Sequence, residues 1–175
     1  MRIIEKPRPG EYPAYAEMYM KLLPADGRVL EHMRDSLSEI EPFIRALPPG
    51  RLLRRYAEGK WTIKEILVHI VDDERIYAYR ALRFARGEQQ FLPGFDENAY
   101  AAISGANERG LDSIFEEYRA VRAATLALFE GLPDDAFLRM GTGSTPDNRA
   151  TVRAMAYHIA GHERHHLAVI RERYI

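Results

Sequence analysis

The sequence contains no cysteine among its 175 residues. This absence excludes disulfide bonds, thiolate nucleophiles and cysteine-ligated zinc, so any metal must be held by nitrogen and oxygen ligands. The chain also lacks any apolar run that approaches the roughly 18 residues of a membrane-spanning helix. Residues 1–10 lack the apolar core of a signal peptide. We therefore expect a cytoplasmic protein with no membrane partner.

The sequence has no excess of charge of either sign. It carries 25 Lys and Arg residues against 26 Asp and Glu residues, for a formal net charge of -1. This balance gives no bulk attraction to nucleic acid or to an anionic membrane, so we expect no nucleic-acid partner. The length and the 46% hydrophobic content fit one soluble globular domain that spans residues 1–175.

Four long segments have apolar side chains at three- and four-residue steps, the spacing of amphipathic helices. They cover residues of about 27–47, 62–86, 112–130 and 150–173. Asp26 is the expected N-cap of the first segment. Thr62 with Glu65 matches a capping box at the start of the second. Because no segment shows strand alternation, the sequence predicts an all-α fold, a four-helix bundle.

The joins between the four predicted helices are long. They cover residues 48–61, 87–111 and 131–150. Simple up-down bundles use short loops, so these lengths predict crossover connections or loops that cover one end of the bundle. Asp96 is expected to start a short extra helix that runs through Tyr100. The stretch 141–146 is the most loop-like part of the chain.

The histidines form the main chemical feature of the sequence, because four of the six fall between positions 158 and 166. His162 and His166 are four residues apart, which places both imidazoles on one helix face, within reach of one ion. This face continues an apolar stripe, so a metal would remove the cost of burying the pair. His69 can supply a third ligand, since bundle helices pack about 8–10 Å apart. Three ligands leave a position for water or substrate, as in catalytic metal sites.

Two neighbouring histidines leave alternatives open. His158 lies one turn before His162 and is an alternative ligand. His165 lies at the edge of the same face, where it is a candidate general base, a group that orients a ligand, or an exposed side chain. His32, on the first predicted helix, has no partner visible in the sequence and is expected to pack in the core or on the surface.

Charged residues that follow His69 are also candidates. Asp73 lies four residues after His69, so it shares that helix face and can orient a ligand or accept a proton. The competing interpretation is that residues 72–74 are solvated acids on a helix surface. Arg80, further along, is either an anchor for an anionic substrate group or a surface residue.

The stretch 162–166 matches the H-E-x-x-H pattern of zinc peptidases, in which the glutamate is the general base. Only nine residues follow His166, so the downstream ligand and the substrate-binding region of such a peptidase have no place. We therefore do not expect a peptidase. Glu163 is left as a catalytic candidate or as an acid on the helix surface.

Two histidine motifs resemble those of one known family. The stretch WTIKEILVH (61–69), followed by Asp-Asp-Glu (72–74), and the stretch GHERHHL (161–167) resemble motifs of the DinB-like, or YfiT-like, metal-dependent hydrolases. The stretch LPGFD (92–96) resembles one branch of that family. The resemblance follows helix order over nearly the whole chain. It implies a four-helix bundle, often dimeric, with the metal ligands on His69, His162 and His166.

The resemblance also implies a function. The family's metal is commonly zinc or nickel, and its relatives include thiol-dependent transferases that use bacillithiol, mycothiol or glutathione. We therefore expect a homodimeric, metal-dependent enzyme, a hydrolase or S-transferase, that acts on a small molecule and has a low-molecular-weight thiol as a candidate partner. The alternative is a non-enzymatic metal-binding or stress-linked binding protein.

Overall fold

The computed structural model describes residues 2–175, and its long elements are all helical. The seven helices are α1 (Glu17–Met20), α2 (Val29–Arg45), α3 (Pro49–Leu52), α4 (Ile63–Ala85), α5 (Glu97–Ile103), α6 (Leu111–Gly131) and α7 (Val152–Arg173). The four long ones, α2, α4, α6 and α7, correspond to the four predicted segments. The prediction of an all-α fold is therefore confirmed. None of the helices in residues 2–175 combines the length and the hydropathy of a membrane-spanning segment.

The start of α4 is fixed by the predicted capping box. The Thr62 hydroxyl accepts a hydrogen bond from the Glu65 amide at 3.1 Å, and the Glu65 carboxylate accepts one from the Thr62 amide at 2.7 Å. The prediction that Asp26 is the N-cap of the first long helix was wrong. Helix α2 begins at Val29 without a side-chain cap, and Asp26 instead accepts a hydrogen bond from the Arg28 amide at 2.9 Å.

Helix packing explains two of the three long joins. Helix α4 packs mainly on α6 and α7, and α2 packs on the same two helices. Around the bundle the order is therefore α4, α7, α2, α6, so the α2–α4 and α6–α7 connections each link helices at opposite corners. These are the crossover connections that the join lengths predict. They leave α4 and α7 side by side along the bundle.

The join between α6 and α7 contains a hairpin that the sequence analysis missed. Strand β1 (Met140–Thr142) pairs antiparallel with β2 (Arg149–Thr151), with Gly141 opposite Ala150. The prediction of a loop at 141–146 therefore fails for its first two residues. A Cβ on Gly141 would lie 1.9 Å from the Phe84 ring, so the absence of a side chain lets this strand press against α4.

The join between α4 and α6 contains the predicted short helix. Asp96 accepts hydrogen bonds from the amides of Asn98 and Ala99 at 2.9 and 3.0 Å, which is the N-cap arrangement. The helix that it starts, α5, extends beyond Tyr100 to Ile103. Together with α1 and the hairpin, this join covers one side of the α4–α7 pair.

Candidate metal centre

Three histidine side chains from the α4–α7 pair converge on one point. The Nε2 atom of His162 lies 3.0 Å from Nε2 of His69 and 3.0 Å from Nε2 of His166. One ligand atom from each of the three residues lies within 4.8 Å of the other two. The four-residue spacing on α7 supplies one pair, and the packing of α4 against α7 supplies the third ring. The structure thus brings together the three residues that the sequence analysis selected.

Burial favours the neutral form of all three imidazoles. It lowers the pKa of His69. It also lowers the pKa of His162 to about 3, against the opposing charge of Asp73, and that of His166 to about 2. Neutral imidazole is the form that donates a lone pair to a metal. At neutral pH the three rings are therefore in the protonation state that ligation needs.

The geometry of the three Nε2 atoms fits a cation between them. His162 Nε2 has only one in-plane position for a proton or a lone pair. It can therefore satisfy one of its two 3.0 Å neighbours by a hydrogen bond, but not both. A divalent ion would accept all three lone pairs at about 2.0–2.1 Å and remove this conflict. The donor set, three neutral nitrogen atoms in a cysteine-free chain, suits zinc and other borderline divalent metals.

Asp73 lies behind His162, on the side away from the cluster. Its Oδ2 atom is 3.3 Å from Nδ1 of His162 and 3.4 Å from Nε2 of His158, without satisfying hydrogen-bond geometry to either ring. Burial alone would raise the pKa of Asp73, but the adjacent His162 and His158 hold that pKa below its ordinary value. The resulting carboxylate favours the tautomer of His162 with a proton on Nδ1 and a free lone pair on Nε2.

The two competing histidines lie beside the cluster and not in it. The His158 ring stacks on Tyr77 with centroids 3.6 Å apart and an angle of 7° between planes, and its Nε2 faces Asp73. His165 is half-buried, and its ring meets the edge of Tyr19 at 5.7 Å. Burial lowers the pKa of His165. Since His165 lines the same cavity as the cluster, it can reach a bound molecule.

The acid after His162 has a different environment from the one expected. Glu163 is only 1% exposed, so the interpretation as a surface acid was wrong. Its carboxylate accepts hydrogen bonds from the Tyr118 hydroxyl and the Arg122 guanidinium, and Arg122 also pairs with Glu74 at 2.9 Å. This ion network joins α4, α6 and α7 in the interior, and Glu163 is not among the residues that line the histidine cavity.

The acids after His69 are likewise not a solvated group. Asp73 and Glu74 are buried, with 4% and 1% exposure, which corrects the interpretation of both as solvated acids. Asp72 is partly exposed and lies 3.6 Å from Arg75. His32 is distant from these residues, and its Nε2 lies 3.0 Å from an Asp26 carboxylate oxygen.

Aromatic side chains that the sequence analysis did not select complete the site. The Trp61 ring lies 4.6 Å from the His69 ring and 6.1 Å from the His166 ring. Tyr19, from α1, meets the His162 ring edge-on at 5.4 Å. Trp61 is the first residue of the first histidine motif, so the sequence could have indicated that it lies near the histidines. Tyr19 belongs to the short helix α1, and no local sequence pattern predicts that this helix packs on α7.

The cluster faces a cavity of about 380 Å³. Its walls come from α1, α4, α5, α7 and the connection around Phe95. A second cavity of about 270 Å³ shares Trp61, Glu97, His165 and His166 with the first. The arrangement can therefore hold a small molecule beside the imidazole nitrogens, with further room on the other side of Trp61.

Comparison with known proteins agrees with this architecture. The chain is 26% identical over 153 residues to an Oceanobacillus iheyensis protein with the name "Putative metal-dependent hydrolase", which covers 81% of this chain and 85% of that protein. It also superposes on YfiT from Bacillus subtilis, described as a "probable metal-dependent hydrolase with an unusual four-helix bundle topology". That superposition has a TM-score of 0.75 and 16% identity, and it covers 97% of this chain and 91% of YfiT.

A match to a family model assigns the chain to a family. The model of the DinB superfamily matches residues 30–170, which contain α4, α6, all but the last three residues of α7, and all three converging histidines. The match extends over well more than half of the sequence and agrees with the resemblance carried by the two histidine motifs. The chain belongs to the DinB superfamily.

Proposed function

We propose that this protein is an enzyme that acts on a small molecule with a divalent metal ion held by His69, His162 and His166. The observation that carries the proposal is the convergence of three buried or half-buried Nε2 atoms beside a cavity of about 380 Å³. A ligand set of three histidines leaves coordination positions free, which is the pattern of catalytic metal sites. The names given to the Oceanobacillus iheyensis protein and to YfiT support the same class.

The protein's own groups have separable tasks in this proposal. The three imidazoles offer their lone pairs, and Asp73 keeps the His162 ring in the tautomer that can do so. Trp61 and Tyr19 pack on the histidine rings and limit the access of bulk water to them. A divalent ion would supply Lewis acidity, which activates a water or a thiol or polarises a carbonyl group. His165 and Asp73 are the candidate groups for proton transfer within the cavity.

Hydrolysis is the reaction we favour, because it needs one organic substrate and agrees with the names of the relatives. S-transfer is the second candidate, and one observation favours it. The second cavity of about 270 Å³ adjoins His165 and His166, so a second reactant such as a low-molecular-weight thiol has space beside the same site. Zinc or nickel as the ion, the identity of any thiol, and a homodimeric assembly stay predictions from the family resemblance.

Metal analysis tests the site. The protein, prepared without a histidine tag, is expected to bind about one divalent ion per chain. His162→Ala and His166→Ala should each lose most of that metal, because each removes one of three ligands. His165→Ala is the matched control, since it removes a cavity histidine of the same helix that is not in the cluster. Equal loss of metal from His165→Ala would show that the ligand set is wrong.

Chelation separates the enzyme from the non-enzymatic alternative. The assay is turnover of chromogenic esters, amides and phosphates, each with and without added thiol, before and after metal removal. Loss of turnover with an unchanged far-ultraviolet circular dichroism spectrum supports a catalytic metal. Unfolding on chelation supports a structural metal instead. Turnover that requires the thiol selects S-transfer over hydrolysis.

A further inference from the structure

Three arginine side chains are buried in the described chain, and they differ in what balances their charge. Arg122, 3% exposed, pairs with Glu74 and Glu163. Arg153, 7% exposed, pairs with Glu11 and Glu5. Arg80 is 5% exposed, yet within residues 2–175 no carboxylate oxygen lies within 4.0 Å of its guanidinium. Burying a cation without a counter-charge is costly, so this exception asks for an explanation.

Arg80 is held in place entirely by neutral groups. One of its terminal nitrogens donates a hydrogen bond to the Pro93 carbonyl at 3.1 Å. Its guanidinium carbon lies 5.0 Å from the centroid of the Tyr77 ring and 6.0 Å from that of the Phe95 ring. These contacts fix the orientation of the group. They use only a part of its five N–H donors and leave its charge uncompensated.

The guanidinium is a wall of the histidine cavity. Arg80 lines that cavity together with Tyr77, Phe95 and the three clustered histidines. His69 and Arg80 are eleven residues apart on α4, three helical turns, so both lie on the same face. Because the guanidinium folds back over Tyr77, it lies roughly 12 Å along the helix axis from His69, the rise of eight residues. A molecule that touches both ends is therefore extended.

We propose that Arg80 is the anchor for an oxyanion group, a carboxylate or a phosphate, on the substrate of this site. The missing counter-charge is then supplied by the substrate, and the planar fork of N–H donors matches such a group. The assignment rests on the proposed function only in treating the bound molecule as a substrate. Because the anchor is remote from the histidines, Arg80 acts in binding and orientation and is not a group that reacts.

Two other charges face the same cavity and have to be considered. Asp73 lies between the two ends, one helical turn from His69 on α4, and its Oδ2 atom faces His162 and His158 at 3.3 and 3.4 Å. Glu97 is exposed at the rim, where solvent and salt screen its charge. Neither forms an ion pair with Arg80 within the described residues. The cavity thus has the positively charged Arg80 at one end and the neutral histidine cluster at the other.

The test uses a matched pair of probes, phenylbutyrate and its uncharged amide, phenylbutyramide. Each probe has twelve non-hydrogen atoms. A cavity of about 380 Å³ has room for about a dozen water molecules, so a probe of this size fits. Binding is measured on the protein as purified by calorimetry, and by the fluorescence of Trp61, the one tryptophan of the chain, which lines the cavity. Phenethyl phosphate is a third probe that separates phosphate from carboxylate recognition.

The wild-type protein should prefer the carboxylate over the amide by about ten- to a hundredfold, the range for a hydrogen-bonded charged group. Arg80→Gln should abolish this preference and leave the affinity for the amide within about twofold. Arg80→Lys should retain part of it, because it keeps the charge and loses the fork. The matched control is Arg83→Gln, on the same helix, where Arg83 is outside the cavity lining and bonded to Glu88.

Several outcomes would overturn the assignment. They are equal affinity of the wild-type protein for the two probes, an unchanged preference in folded Arg80→Gln, or an equal loss in Arg83→Gln. If Arg80→Gln does not fold, the wild-type comparison and Arg80→Lys still decide the question. Repetition after chelation separates this proposal from the metal proposal. A preference that persists without metal belongs to Arg80, and a preference that disappears with the metal in both wild type and Arg80→Lys belongs to the ion.

Discussion

Replacement of Asp73 by asparagine tests how the chain prepares His162 for a metal. Asp73 Oδ2 lies 3.3 Å from Nδ1 of His162, and as a carboxylate it can accept a hydrogen bond from that nitrogen but cannot donate one. An asparagine amide in the same place can donate to Nδ1 instead. That bond would put the remaining proton on Nε2, the atom that faces His69 and His166. The substitution therefore leaves the ring in place and blocks its lone pair.

The expected cost follows from the same geometry. Loss of a carboxylate partner behind a histidine ligand weakens metal affinity by about 10- to 100-fold, or about 1.4 to 2.7 kcal/mol. The assay is competition for zinc with a fluorescent chelator of known affinity. Asp72→Asn is the matched control, because it makes the same chemical change one residue earlier, at a half-buried carboxylate whose ion-pair partner is Arg75. Equal zinc affinity of the two folded variants would refute the role given to Asp73.

Two further predictions concern the stability of the metal-free protein. Burial holds the pKa of His162 at about 3 in the folded chain against an ordinary value of 6.5, so the unfolded chain binds more protons and stability is lost as pH falls from 6.5 towards 3. His162 alone should lower the free energy of unfolding by about 2 kcal/mol between neutral pH and pH 5, measured by urea titration in the presence of a chelator. This contribution should be absent in His162→Gln. The same dependence of the unfolding free energy on pH in both proteins would contradict the prediction. Gly161→Ala should cost about 1–3 kcal/mol in thermal unfolding, since its Cβ would lie 2.5 Å from the Tyr19 carbonyl oxygen. Gly131→Ala, with no atom within 4 Å of its Cβ, is the control and should be neutral or slightly stabilising.

The helical periodicity of the four long segments made most of the fold predictable. Apolar side chains at three- and four-residue steps over some twenty residues give a clear helix signal. Each long helix begins and ends within about two residues of its prediction. The capping box at Thr62 was equally clear, because both of its partners lie within one turn. Short elements carry no such signal. Helix α1 has four residues and each strand of the hairpin has three, too few for either periodicity to be visible.

The candidate site divides in the same way. The pairing of His162 with His166 is local, so the sequence contains it. The packing distance of bundle helices made His69 a candidate third ligand, and the family resemblance selected the same residue. The remaining features depend on what other helices contribute. Glu74 is buried because Arg122, 48 residues later, comes from α6 to meet it. The buried state of Arg80 depends on the connection around Pro93 and Phe95. Charged side chains are assigned to the surface by default, and only tertiary structure identifies the exceptions.

The H-E-x-x-H stretch shows how the same letters acquire different roles in a different fold. Successive residues on an α-helix are about 100° apart, so His162 and Glu163 cannot face the same neighbour. In a peptidase the substrate lies where the glutamate can reach it. Here His162 faces α4 and the cavity, and Glu163 turns towards α6, where Tyr118 and Arg122 hold its carboxylate. The metal-ligand spacing of the stretch is therefore retained while the position of its general base is occupied by a buried ion network. Any base that acts in this cavity has to come from another residue that lines it.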